Sequence, residues 1–104
     1  REYINAHYSE ELPLSKLSGI AGMSPSSFSR YFKMRTGETL STYIAKTRLG
    51  AAVKALVDST QSISEICYSC GFNNLSNFNR LFKAKRGMSP REFRSLYKKQ
   101  RVLF

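Results

Sequence analysis

The chain repeats one pattern of apolar residues, glycines and basic residues, with the two copies about fifty residues apart. The first copy occupies residues 14–43 and the second residues 63–93. From Phe28 and Phe78 onward the offset is 50 residues, but before the glycines it is 49, so the second copy carries one extra residue between Gly71 and Phe78. Internal repetition constrains the architecture before other details do. The sequence therefore predicts two equivalent structural units.

Apolar residues recur at three- and four-residue spacing nearly throughout, which is typical of helices, and no stretch alternates like a strand. We expect an all-α fold of seven helices, arranged as three helices, a long connector and three more. Residues 1–38 are predicted to form a first helix-turn-helix subdomain, 39–58 the connector helix, and 59–104 a second such subdomain. Each subdomain would be a three-helix unit like that of a homeodomain.

Several helix ends are marked by residues that favour capping. Ser24 is expected to cap the third helix with Pro25 at its first position, and Asn73 to cap the matching helix in the second copy. Gly22 and Gly71 would end the preceding short helices. Two S-x-x-E capping boxes are present, Ser62 with Glu65 and Ser89 with Glu92.

Apolar spacing also predicts which faces are buried. The first helix is expected over residues 2–9, ending before Pro13. The predicted buried faces are Leu14, Leu17 and Ala21 in the second helix, Phe28, Tyr31 and Phe32 in the third, and Leu40, Tyr43, Ile44, Thr47, Ala51 and Ala55 in the connector. In the second copy Phe78 and Phe82 are the expected inward pair.

The charge of the chain points to a polyanionic partner. It has 17 basic and 7 acidic residues, for a net charge of +10. Nine of the basic residues lie between residues 80 and 101, where Glu92 is the one acid. Such a balance most often indicates a nucleic-acid partner, although a charged surface that only keeps the protein soluble is the alternative.

The sequence carries no signature of an enzyme or a cofactor site. Cys67 and Cys70 form a C-x-x-C pair inside an apolar helical pattern, and His7 is the sole histidine, about sixty residues away. A tetrahedral zinc site needs four ligands, so small buried hydrophobes are the better interpretation of the cysteines. Unpaired thiols fit a reducing cytoplasm. No run is long enough for a transmembrane helix, and no signal peptide is evident.

A helix-turn-helix buries one face of its second helix and offers the other to a major groove of DNA. Arginine can bind guanine, asparagine can bind adenine, and serine can bind several bases. The residues expected on the outward faces are Ser26, Ser29, Arg30 and Lys33 in the first copy, and Leu75, Ser76, Asn79, Arg80 and Lys83 in the second. An ordinary bundle surface is the alternative, but it leaves the matching pairs Arg30/Arg80 and Lys33/Lys83 unexplained.

The predicted connector also suits two DNA contacts. A helix of about 20 residues is about 30 Å long, close to the ~34 Å of one turn of B-DNA. The connector would therefore set the spacing of two half-sites in successive major grooves, with Leu40, Ile44, Ala51 and Ala55 joining it to both bundles.

The chain resembles the DNA-binding domain of the AraC/XylS transcription regulators over nearly its whole length. The most specific motifs are Ile63-Ser64-Glu65-Ile66, Cys70-Gly71-Phe72, Ser76-x-Phe78-x-Arg80-x-Phe82-Lys83, Gly87, and Ser89-Pro90-x-x-Phe93-Arg94, with Tyr43 and Arg48 in the connector.

The resemblance implies two recognition helices, at about residues 24–35 and 74–85, that bind DNA to activate or repress transcription in the bacterial cytoplasm. Their base-contacting residues would be Ser26, Ser29, Arg30, Leu75, Ser76, Asn79 and Arg80. Phosphate contacts are expected from Lys33, Arg48, Lys83 and Arg86. The resemblance also implies a preceding regulatory domain, and the start at Arg1 suggests a fragment of a longer protein.

Two other functions remain open. In one, the basic C-terminal helix docks an acidic protein partner, such as RNA polymerase, through Arg91, Arg94, Lys98 and Lys99. In the other, the chain binds nucleic acid without sequence preference. RNA-binding proteins expose aromatic residues for stacking, whereas the phenylalanines here have core spacing. The tail 101–104 is expected either to fold back on the last helix or to be disordered.

Overall fold

A computed structural model describes the backbone of residues 2–103 and the side chains of residues 2–98. The side chain of Lys99 and the tail 101–104, on which the sequence raised expectations, lie outside the described side chains. The described residues form seven helices and no strand, which confirms the all-α prediction. The helices are α1 (Glu2–His7), α2 (Leu14–Ile20), α3 (Pro25–Thr36), α4 (Leu40–Asp58), α5 (Ile63–Ser69), α6 (Leu75–Arg86) and α7 (Pro90–Leu103).

The chain divides into two compact units, the first ending at Thr47 and the second beginning at Arg48. Each unit has its own hydrophobic core. Helix α4 contributes Ile44 to the first core and Leu49, Ala52 and Leu56 to the second.

The core of the first unit is built from one residue of each of its helices. Its buried members are Ile4, Leu17, Phe32 and Ile44. Three residues predicted to be buried are instead exposed, namely Leu14, Ala21 and Tyr31. In α2 the buried neighbour of Leu17 is Ser18, whose hydroxyl donates to the carbonyl oxygen of Ser15 at 3.1 Å. A helix of two turns buries only a narrow face, and the local hydrogen bond lets a serine occupy part of it.

The core of the second unit is more completely buried than that of the first. Its largest buried side chains include Phe78, Phe82, Leu56 and Ile66. The predicted line of α4 residues, which advances in steps of four through Thr47, Ala51 and Ala55, is only half-buried. A helical turn takes 3.6 residues, so steps of four drift around the helix. The fully buried line Leu49, Ala52 and Leu56 alternates steps of three and four.

The helix ends mostly follow the predicted capping residues. Both capping boxes form: Ser62 Oγ accepts from the Glu65 N–H at 3.1 Å, and Ser89 Oγ accepts from the Glu92 N–H at 3.1 Å. The prediction that Asn73 caps α6 is wrong, because Asn74 Oδ1 accepts from the Asn77 N–H at 2.8 Å. Helix α1 ends at His7 rather than at residue 9.

Candidate nucleic-acid interface

Helices α3 and α6 are built alike, and we call them the recognition helices. Each is 12 residues long and begins after a capping side chain, Ser24 in one and Asn74 in the other. Each ends at a glycine with φ of 78°, Gly37 and Gly87. This left-handed conformation is strained for residues with a Cβ atom, so glycine allows the chain to turn away at the same point in both helices. Helix α3 begins at Pro25 after the cap Ser24, as predicted, whereas α6 begins one residue later than a cap at Asn73 predicted.

The inward faces of the recognition helices carry the predicted pairs of phenylalanines. Phe78 and Phe82 have no exposed surface, and their ring centroids are 5.9 Å apart. Phe32 is 5% exposed, while Phe28 is half-buried. Because these rings hold one side of each helix against its unit, the opposite side faces outward.

The extra residue of the second copy lies in the turn before α6. One residue separates Gly22 from the cap Ser24, whereas two separate Gly71 from the cap Asn74. The longer turn contains Phe72, whose ring centroid lies 4.8 Å from that of Phe78. The insertion is therefore absorbed before the helix begins, and it leaves the helix length unchanged.

Most of the predicted DNA-contacting residues lie on the outward faces. Those exposed in the first unit are Ser26, Arg30 and Lys33, and those exposed in the second are Ser76, Arg80, Lys83 and Arg86. Ser29 and Asn79 are half-buried. Leu75 was predicted to face outward, but it is half-buried and packs against the second core. The apolar surface that it offers to a base is correspondingly small.

Arg48 lies on α4 and not on a recognition helix. It is half-buried, and this burial lowers the pKa of its guanidinium from the ordinary value. Its predicted phosphate contact therefore rests on the sequence resemblance and not on a place in a recognition helix.

A groove of about 780 Å³ runs beside α3 in the first unit. Arg30 and Lys33 supply its charge, and Leu14, Met34 and Leu40 supply apolar walls. Met34 is 83% exposed, which is unusual for a large apolar side chain. The groove combines positive charge with apolar surface, and both suit a sugar–phosphate strand. Leu14 and Met34 were not predicted as part of a site.

A second residue that the sequence analysis missed is Asn77 on α6. Its Oδ1 accepts a hydrogen bond from Nη2 of Arg80. The two residues are three apart on a helix, a spacing at which side chains meet. That spacing was the available signal, but Asn77 was not among the outward residues considered.

Arg94 and the two cysteines, which the sequence analysis singled out, make contacts within the second unit. The guanidinium of Arg94 donates to the carbonyl oxygens of Leu56, Ser59 and Gln61, at 3.2, 3.1 and 2.5 Å. Cys67 and Cys70 are free, 0% and 5% exposed respectively, and burial raises the pKa of both thiols. The cysteines are therefore part of the core, as predicted.

The positive charge is concentrated in the second unit. Residues 1–47 contain six basic and four acidic residues, whereas residues 48–104 contain eleven and three, so the second unit carries +8 of the net +10.

Within the described part of the chain, no group of His, Cys, Asp and Glu side chains could hold a metal ion. No described helix is both long and apolar enough to cross a bilayer.

The curated relatives of this chain include regulators of transcription. The bifunctional transcriptional activator/DNA repair enzyme AdaA of Bacillus subtilis (strain 168) is 38% identical over 97 residues, covering 93% of this chain and 46% of AdaA. This chain spans less than half the length of the curated relatives it matches.

Two examples represent the solved structures that share the fold. The DNA-binding domain of the global transcriptional factor AdpA, solved in complex with a target DNA, has a TM-score of 0.92 and 27% identity, over 97% of this chain and 91% of that one. A probable AraC family transcriptional regulator from Rhodopseudomonas palustris CGA009 has a TM-score of 0.84 and 26% identity, over 92% of this chain and 91% of that one.

The helix-turn-helix domain family matches residues 17–95, which include both recognition helices and all of α4 and α5. The sequence motifs, the paired helices and the similar proteins agree, and the chain belongs to the helix-turn-helix DNA-binding domains of the AraC family.

Proposed function

We propose that this chain binds double-stranded DNA sequence-specifically, with α3 and α6 each inserted into a major groove, as part of a longer bacterial transcription regulator. The observation that carries the proposal is the matched outward surface of the two recognition helices. Arg30 and Lys33 are exposed on α3, and Arg80 and Lys83 are exposed at the same positions of α6. Folding alone does not require an exposed arginine and lysine at equivalent positions of both units.

The outward residues divide by chemistry into two roles. Arg30, Arg80, Ser26, Ser76 and the half-buried Ser29 and Asn79 would contact base edges, together with a smaller apolar contact from Leu75. Lys33, Lys83, Arg86 and Arg48 would contact phosphates, which fixes the register on the duplex without specifying sequence. The groove beside α3 would take one sugar–phosphate strand, with Met34 and Leu14 against the sugars.

The test is selection of binding sites from a random duplex library by the purified chain at about 150 mM salt. We expect two short enriched boxes whose centres lie roughly 10–11 base pairs apart, because one helical turn separates successive major grooves on one face. A variant with both Arg30→Ala and Arg80→Ala should enrich boxes that have lost the preference at the base pairs the two arginines contact. Binding by the unaltered chain that enriches no sequence and weakens steeply with salt would contradict the proposal, because it leaves only phosphate contacts.

A contact with RNA polymerase is a second candidate role for α7 in the intact regulator. Arg91, Leu96 and Lys98 are exposed on this helix. Arg94 was predicted to belong to this surface, but its guanidinium donates hydrogen bonds to backbone carbonyl oxygens of the second unit instead. The charge reversal Lys98→Glu should reduce activation in cells while DNA affinity stays unchanged.

A regulator that binds bacterial DNA would be located in the cytoplasm.

A further inference from the structure

The guanidinium of Arg80 is held by a neighbouring side chain on the same helix. Its Nη2 donates to Oδ1 of Asn77, one turn earlier on α6. Both side chains are exposed, so the bond lies on the outward surface of the recognition helix. A guanidinium has five N–H donors. Four remain after this bond, and two suffice for a bidentate contact with guanine O6 and N7.

The side chain of Asn77 is used for the hydrogen bond to Arg80 and not for the cap of α6. The capping contact at this residue uses its backbone N–H, which donates to Asn74 Oδ1. The side-chain amide is exposed and is not part of the core. A substitution at Asn77 therefore removes the contact with Arg80 and leaves the cap of α6 in place.

No equivalent contact is found among the described residues of the first unit. Ser27 occupies the position that matches Asn77, and its short side chain replaces the amide. Among residues 2–98, whose side chains the structure describes, Arg30 forms no side-chain hydrogen bond, and it borders the groove beside α3. The two recognition helices thus present equivalent arginines that differ in one respect. Arg80 is hydrogen-bonded to a neighbouring side chain, and Arg30 is not.

We infer that Asn77 is a positioning residue for Arg80 that sharpens base discrimination by the second unit. The inference rests on the proposed function. An arginine that is free in solution loses rotamer freedom when it binds a base, and an intramolecular bond that already restricts it reduces that loss. Asn77 acts through Arg80, so its effect falls on the base pair that Arg80 contacts.

The test measures affinity for the selected site and for every single base-pair substitution of it. The proteins compared are the unaltered chain, Asn77→Ala, Arg80→Ala and the double variant. We expect Asn77→Ala to lower the preference by about three- to ten-fold at the same base pair as Arg80→Ala. The double variant should match Arg80→Ala alone, because the two residues act as one unit.

Three controls accompany the measurement. Asn77→Asp keeps an acceptor oxygen at the same reach and should retain the preference at that base pair. Ser27→Ala, at the matching position of the first unit, should leave the preference unchanged at every base pair. Both the Tm of Asn77→Ala and the salt dependence of its binding should stay close to those of the unaltered chain, since Asn77 is exposed and uncharged.

Three results would overturn the inference. Asn77→Ala could leave the preference intact, or it could act at a different base pair from Arg80→Ala and add to it, which would make Asn77 a base contact. Loss of the preference in Asn77→Asp would show that the acceptor oxygen is not what matters. If the unaltered chain selects no sequence, the proposed function itself fails, a result visible before any variant is compared, and this inference falls with it.

Discussion

The guanidinium of Arg94 on α7 donates a hydrogen bond from Nε to the backbone carbonyl oxygen of Leu56, in the last turn of α4, at 3.2 Å. Its two terminal nitrogens donate to the carbonyl oxygens of Ser59 and Gln61. The last carbonyls of a helix lack partners within it and carry partial negative charge. Arg94 thus supplies both donors and positive charge at this helix end.

We expect Arg94→Ala to lower the free energy of unfolding by about 2 kcal/mol, because it removes several hydrogen bonds from one charged group to the backbone. Urea denaturation of the purified chain measures the change. Arg91→Ala is the matched control, since Arg91 is an exposed basic residue on the same helix, and it should change stability by less than about 0.5 kcal/mol. Equal effects of the two substitutions would refute a structural role for Arg94.

Arg80 and Lys83 should differ in what they contribute to DNA binding. Arg80→Ala is expected to cost about 1–3 kcal/mol at one base pair and to relax the preference there. Lys83→Ala should weaken binding by a similar factor on all sequences and reduce the salt slope by about one. Titrations of the selected site and its variants, at several salt concentrations, distinguish the two. An Arg80→Ala protein with an unchanged base preference would refute the predicted base contact of Arg80.

The inward phenylalanines should dominate the stability of the recognition helices. Phe82 is fully buried, and its ring centroid lies 5.7 Å from that of Phe93 on α7. Phe82→Ala should therefore cost about 4 kcal/mol of unfolding free energy. Tyr31→Ala is the comparison, because Tyr31 is 46% exposed, with the Arg35 guanidinium 5.7 Å from its ring centroid, and its loss should cost no more than about 1 kcal/mol. Thermal and urea unfolding would measure both, and equal losses would contradict the assigned faces.

The capping boxes make stability depend on acidity. The backbone hydrogen bonds from Ser62 and Ser89 lower the pKa of Glu65 and Glu92 below the ordinary value of 4.5. Because the folded state binds protons less readily than the unfolded state, the charged carboxylates stabilise folding above pH 4.5. That contribution is lost as the pH falls through the folded-state pKa values.

The double variant Glu65→Gln, Glu92→Gln isolates the charge, since glutamine can still accept the capping hydrogen bond. Its Tm should be lower than that of the unaltered chain at pH 7, and the difference should shrink toward pH 3. A Tm difference that is constant over this range would mean that the two carboxylate charges do not stabilise the helix ends.

The two cysteines should be unreactive in the folded protein. Both are buried, and burial raises the pKa of each thiol, so the nucleophilic thiolate is scarce at pH 7. A chromogenic disulfide reagent should modify them much more slowly in buffer than in concentrated urea. Equally fast modification in both conditions would show that these thiols are accessible in the folded chain.

The sequence predicted the number of helices, the capping boxes and the inward phenylalanines, because each depends on local spacing. It was less successful for α4, which contributes to two cores. The apolar pattern of a helix with several alanines does not single out Leu49, Ala52 and Leu56 over Ala51 and Ala55. The cap of α6 was misplaced for a similar reason, since Asn73 and Asn74 are chemically identical and only the length of the turn decides between them.

The outward faces were predicted largely correctly, but their internal contacts were not. Periodicity assigns a residue to a face, yet it does not show that Asn77 restrains Arg80 or that Met34 and Leu14 border one groove. The contacts of Arg94 were likewise not predictable from its position in the sequence. Its charge suggested a surface for a partner, whereas its hydrogen bonds reach carbonyl oxygens more than thirty residues earlier in the chain.

The matched ends and inward phenylalanines of α3 and α6 have a consequence for how such a protein evolves. Both helices span 12 residues and end at the same glycine conformation, while the polar residues Ser29 and Asn79 differ at equivalent outward positions. Substitutions on one outward face leave both cores, and the other outward face, intact. Under the proposed function, the sequence preference for one half-site can therefore change while the other stays the same. Every evolutionary intermediate still binds the half-site that has not changed.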